Sequence, residues 1–189
     1  MIKDLIKKNR SYRRFYQDVS IDRETLVDLV DCARLSASAR NEQPLKYILS
    51  CDPAENSLIF PCLAWAGYLK DWPGPQEGER PSAYLVVLGD TDISLSFGSD
   101  QGIAAQSILM VAVEKGLGGC IIGSVQKEKL AKALNIPDRY EILIVIALGK
   151  PKECVVIEPM ALSGDFRYWR DEQGVHHVPK RSLEEVILN

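Results

Sequence analysis

The chain has 189 residues, 46% of them apolar and 26% charged, with a net charge of −3. This composition suits one globular domain over residues 1–189 with a real core. Its mild acidity argues against a nucleic-acid partner, whose footprint is strongly basic, and no apolar run approaches the roughly 20 residues that span a bilayer. The first eight residues scatter charge among apolar side chains and do not read as a signal peptide. The five cysteines are odd in number and have no C-x-x-C pair, so they read as reduced thiols in a cytoplasmic protein. Cys120 is the candidate for a reactive thiol. No metal site is expected, because His176 and His177 are adjacent and have no cysteine pair to join.

Ile2, Leu5 and Ile6 have helical spacing, which ends near Asn9. Arg10, Ser11, Arg13 and Arg14 follow within five residues. Guanidinium forks so close together repel one another unless an anion or carboxylates sit among them, so the cluster points to a bound anion. Asp22 is placed to cap a second helix with Leu26, Leu29, Val30 and Ala33 on one face. Ser36 to Pro44 is small, polar and ends at proline, a loop; Lys46 to Cys51 reads as a strand. Pro61 to Leu69 reads as a short helix and Asp71 to Pro81 as a loop.

Ala83 to Leu88 is the continuous apolar run of a strand covered on both faces. Asp100 to Lys115 is apolar almost all round, so its helix belongs in a core or a subunit interface, and Gly116 stops it. Asp100 itself reads as a helix cap. Gly118 to Ser124 is a short glycine-bracketed strand, Gln126 to Leu134 a helix, and Glu141 to Leu148 a second buried strand. Asp171 to Gly174 marks a hairpin turn bearing His176 and His177, and Ser182 with Glu185 has capping-box spacing before a last helix. Trp65, Trp72 and Trp169 read as core or interface residues. Alternating helices and buried strands make an α+β or α/β sandwich.

Four segments in order resemble the nitroreductase family of flavin-dependent oxidoreductases. They are Arg10-Ser11-Tyr12-Arg13-Arg14-Phe15, Ser36 to Pro44 with Asn41 and Gln43, Gly116 to Gly123, and Leu148 to Pro151 together with Lys180 to Val186. The resemblance implies an α+β three-layer sandwich, with a mixed, mostly antiparallel sheet flanked by helices, in an intertwined homodimer that holds FMN at its interface. It assigns Arg10, Ser11, Lys180 and Arg181 to the phosphate and ribityl chain, and Arg13 to the pyrimidine edge of the ring as a tuner of its charge. Ser38, Asn41 and Gln43 would reach the ring from the partner subunit, and Ile122 and Gly123 would let backbone approach N5. Arg14 is left as a surface residue, and Asn9 stands where many relatives have a further arginine.

The activity so implied is hydride transfer from NADH or NADPH through FMN to a nitroaromatic, quinone or similar acceptor, by a ping-pong mechanism without a dedicated catalytic residue. A specialised family member, with reductive dehalogenation or oxidative ring chemistry, and a non-catalytic flavin-binding protein are the alternatives.

Overall fold

The structure, a computed structural model, describes residues 1–189. Its centre is β3, Ala83–Asp90, buried at every position. β5, Tyr140–Pro151, lies antiparallel along one edge of it, with a register shift at Val87/Leu88, and β2, Leu45–Ser50, lies antiparallel along the other. β4, Gly118–Ile122, pairs antiparallel with β5, and the short β1, Phe15–Tyr16, pairs with its end at Lys150 and Pro151.

Strand alternation divides the core into two layers. Ala83, Leu85 and Val87 pack with Leu26 and Leu29 of α2, Arg23–Arg34, and with Ala105, Ile108 and Ala112 of α4, Asp100–Glu114. Tyr84, Val86 and Leu88 face the other way, toward Ile59 of α3, Pro53–Ile59, and Leu130 of α5, Lys127–Ala133. The arrangement is the three-layer α+β sandwich.

Local chemistry sets the helix ends. The Asp22 carboxylate accepts the Thr25 N–H at 2.7 Å and starts α2. α4 ends at Gly116, whose φ of +73° suits glycine. There the Leu117 N–H bonds Ala112 O at 2.8 Å and the Gly116 N–H bonds Val113 O at 3.0 Å, the pair of bonds that closes a helix through a left-handed residue. Ser182 and Glu185 form the expected capping box on α6, Leu183–Val186.

Two elements differ from expectation. The helix expected at Pro61 to Leu69 lies earlier, at α3, because Asp52 caps it and Pro53 occupies its first turn; only a single tight turn, Phe60–Cys62, follows. The C-terminal part forms a second sheet. β6, Val155–Pro159, runs parallel to β8, His176–Lys180, and β7, Trp169–Arg170, pairs antiparallel with β8 across the Asp171 to Gly174 turn.

Candidate functional site

The arginine cluster is placed by the chain that leaves α1, Ile2–Lys8. Asn9 Nδ2 donates to Gln106 Oε1 of α4 at 3.3 Å. The chain then runs beside β4, where the Tyr12 N–H donates to Gly119 O at 3.0 Å. A Cβ at Gly118 would strike Tyr12 and Pro151, and one at Gly119 would strike Ala147 O and Leu109. These glycines let the strand and the N-terminal segment close on each other.

The three arginines have different fates. Arg10 Nη2 donates to Ile6 O at 2.8 Å, while its Nε is buried without an acceptor. Arg13 gives its backbone N–H to Glu153 Oε1, gives Nη1 to Ser11 O at 3.2 Å, and lies over the Tyr168 ring with Cζ 4.7 Å from the centroid. Arg14 is not a surface bystander. Its Nε and Nη2 grip the carboxylate of the buried Glu79 at 2.6 and 2.7 Å, which spends this guanidinium on the fold.

Two adjoining cavities open here and share Arg13, Ile121 and Tyr168. One, of about 240 Å³, is lined by Asn9, Arg10, Ser11, Gln106, His176 and Lys180 among others. The other, of about 230 Å³, is lined by Ala64 to Gly67, Cys120, Ile122, Gly123 and Ser124. A Cβ on Gly123 would meet nothing within 4 Å, so protein packing does not require a glycine there. Trp65 is buried, as expected, yet its Nε1 has no acceptor. Cys120 is buried and burial pushes its thiol pKa up, which removes it as a reactive thiolate.

The Asn-Gln loop stands apart from this pair of cavities. Asp100 is not the cap of α4, a position held by Ser99. It is buried and ties down the loop instead: Ser38 Oγ donates to Oδ2 at 2.6 Å and the Ala39 N–H to Oδ1 at 3.0 Å. Ser38 Oγ in turn accepts the Gln43 N–H at 3.0 Å. Arg40, Asn41 and Gln43 have φ of 52°, 57° and 52°. Three non-glycine residues in the left-handed region within four positions is strain of the kind stored at functional sites. Arg40 pairs with Glu42 on the surface. Ser38 and Gln43 line a third, roomier cavity of about 390 Å³ between α2 and β2, and Asn41 lines none of the three. That cavity, though roomier than the other two, holds none of the clustered arginines, so its size does not make it the anion site.

At the C-terminal end Lys180 joins the cavity of Arg10, whereas Arg181 pairs with Glu185 at 3.2 Å and lines none of these cavities. Sequence reasoning missed Tyr168, Glu153 and His176. His176 is buried, with Nε2 3.2 Å from Arg13 Nη1. The available signal was alternation along β8, which turns His176 and His177 to opposite faces. His177, on the other face, bridges Glu158 and Asp171 and stacks on Trp169, which is half exposed instead of buried.

A model described as the nitroreductase family matches residues 82–150. The chain is 28% identical over 148 residues to a provisionally named NADH dehydrogenase/NAD(P)H nitroreductase of Archaeoglobus fulgidus, covering 74% of this chain and 80% of that one. It is 25% identical over 176 residues to the 5,6-dimethylbenzimidazole synthase of Rhodospirillum rubrum, covering 79% and 81%. Its fold matches an FMN-dependent nitroreductase of Clostridium difficile R20291 with a TM-score of 0.64 at 24% identity, over 78% of this chain and 86% of that one. By these matches and the fold they share, the chain is similar to members of the nitroreductase family over most of its length, with the family model itself matching its central part.

Proposed function

We propose that the protein is an FMN-dependent NAD(P)H oxidoreductase that passes hydride to a nitroaromatic, quinone or similar acceptor. One observation carries this reading. Of the five buried side-chain nitrogens without a partner in the protein, three, Arg10 Nε, Trp65 Nε1 and His176 Nδ1, belong to residues lining the two adjoining cavities, while Arg80 Nε and Arg170 Nε lie elsewhere. Buried donors are normally paired, so the site asks for a ligand rich in acceptors. With Arg10, Arg13 and Lys180 present, that ligand is anionic. FMN meets the requirement, having a phosphate dianion at one end and a carbonyl- and nitrogen-edged ring at the other. The names of the Archaeoglobus relative and the Clostridium structure support the same cofactor and reductant.

When bound, FMN supplies the hydride chemistry at its N5 atom. Arg10, Ser11 and Lys180 hold the phosphate end, with Arg181 on the following residue. Arg13 puts a fixed cation beside the pyrimidine edge, where reduction adds negative charge. Ile122 and Gly123 allow backbone close to the ring. Trp65 and Tyr168 line the space and exclude water.

The Ser38, Asn41 and Gln43 loop completes the site from a second copy of the chain in this reading. Two facts support a homodimer: the loop is held away from the arginine cavity within one protomer, and Ile103 on α4 and the C-terminal Leu183, Val186, Ile187 and Leu188 are exposed apolar residues. No helix is long and apolar enough to cross a membrane. The synthase relative favours a second reading, specialised oxidative chemistry on a bound flavin. Steady-state oxidation of NADH and NADPH with a quinone and a nitroarene separates the two: turnover supports the reductase, and turnover with neither acceptor contradicts it.

A further inference from the structure

Arg13 is held at its backbone, on one face and at one nitrogen. Its N–H goes to Glu153, whose buried carboxylate also accepts the Arg14 N–H at 3.2 Å and Arg170 Nη2 at 3.1 Å. Tyr168 lies against the guanidinium face. Nη1 meets Ser11 O and His176 Nε2, each at 3.2 Å. A guanidinium has only donors, so Nε2 must offer a lone pair and the proton of the neutral ring sits on Nδ1. Burial first, then the charges of Arg13, Arg170 and His177, push the His176 pKa down to about 4, which keeps the ring neutral. The ring is fixed in turn. It is tilted against Tyr168 at 5.2 Å, and the His176 N–H donates to Cys154 O at 2.9 Å.

Both Nη1 hydrogens are thus engaged. Neither Arg13 Nε nor Arg13 Nη2 donates to a nitrogen or oxygen of the protein, whereas Nη1 makes both of the side chain's hydrogen bonds to such atoms; the buried Cys120 thiol is the one further group that feels the guanidinium at close range. The N–H bonds at Nε and the adjacent Nη2 are parallel and form the bidentate edge of the side chain.

We propose that His176 is a positioning residue for Arg13: by accepting from Nη1 it sets the roll of the guanidinium and leaves the Nε–Nη2 edge as a two-pronged donor for a planar acceptor pair, the adjacent ring nitrogen and carbonyl of the flavin's pyrimidine edge. This rests on the FMN reading of the site. An acceptor on the small C-terminal sheet thereby controls an arginine on the N-terminal segment.

The test uses the full chain in three forms: wild type, His176→Leu and His176→Gln. In wild-type protein without added flavin, nitrogen-15 NMR of the imidazole reads the tautomer; a proton on Nδ1 and none on Nε2 is expected, and a proton on Nε2 overturns the proposal. His176→Leu removes the acceptor. It should weaken FMN binding about tenfold and lower the flavin's two-electron potential by about 30 mV, one further factor of ten against the reduced form. His176→Gln offers an oxygen to the same Nη1 and should restore most of both. A folded Leu variant with unchanged FMN affinity and potential overturns the proposal even if activity falls. Wild-type protein that takes up no FMN overturns the cofactor reading, and with it the ligand assigned to this edge, while the tautomer still reports on the His176–Arg13 contact.

Discussion

Glu79 accepts two hydrogen bonds from Arg14, 2.6 Å from Nε and 2.7 Å from Nη2, and Lys152 Nζ lies 3.0 Å from the same carboxylate. The pair ties the N-terminal segment to the loop before β3, so one arginine of the cluster holds the others in place. Glu79→Gln should cost about 2 kcal/mol, less than a fully buried pair because Arg14 is partly exposed. Urea unfolding measures it.

The same pair gives an acid dependence. The Arg14 hydrogen bonds, and then Lys152, hold the Glu79 pKa down to about 2 against an ordinary 4.5. Its stabilising contribution is complete above the ordinary value and is lost as the pH falls through about 2. Stability measured between those limits should fall less steeply in Glu79→Gln than in wild type; parallel curves would refute the assignment.

His177 has the opposite sign. The Asp171 hydrogen bond, then that of Glu158, raises its pKa above the ordinary 6.5. Its contribution is fully present below 6.5 and is lost as the pH rises through the raised value. Hydrogen exchange at β7 and β8 should therefore quicken with rising pH beyond the intrinsic chemical trend, and His177→Phe should abolish that excess.

Gly119 and Gly123 separate packing from ligand approach. Gly119→Ala forces a methyl onto Ala147 O and Leu109 and should cost about 1–3 kcal/mol. The Cβ that Gly123→Val adds meets nothing in the protein, so its Tm should stay close to wild type while FMN affinity drops about tenfold, or about 1.4 kcal/mol. Normal FMN affinity in Gly123→Val would remove Gly123 from the site.

The central strands, α4 with its glycine stop, the Asp22 cap and the capping box at Ser182 were all legible, because each is fixed by neighbours in sequence. α3 was misplaced because the aromatic residues from Phe60 to Trp72 obscured the Asp52-Pro53 start signal. The parallel β6–β8 pairing joins residues about twenty apart, which periodicity does not report. The site was legible as residue types but not as partners. Arg14 looked free because Glu79 lies 65 positions away, and His176 looked like a turn residue because Arg13 lies 163 positions away. Arg181 is assigned only by the resemblance, and it pairs with Glu185, four residues on, and lines neither cavity of the site.

Asp100→Ala should release the Ser38 to Gln43 loop, leaving the Ala39 N–H without its partner at a cost of about 1–3 kcal/mol. In a dimeric site it should also weaken FMN binding, whereas in a monomeric site affinity should be unchanged. Sedimentation with and without FMN tells which applies.

The most direct measurement of the central claim is the visible spectrum of the FMN-loaded protein under anaerobic NADH or NADPH, beside Arg13→Ala. Wild type should hold FMN and lose its oxidised-flavin band on adding the reductant, and Arg13→Ala should bind FMN more weakly or hold it at a lower potential. A wild-type protein that takes up no FMN, or whose flavin stays oxidised with both nicotinamides, would contradict it.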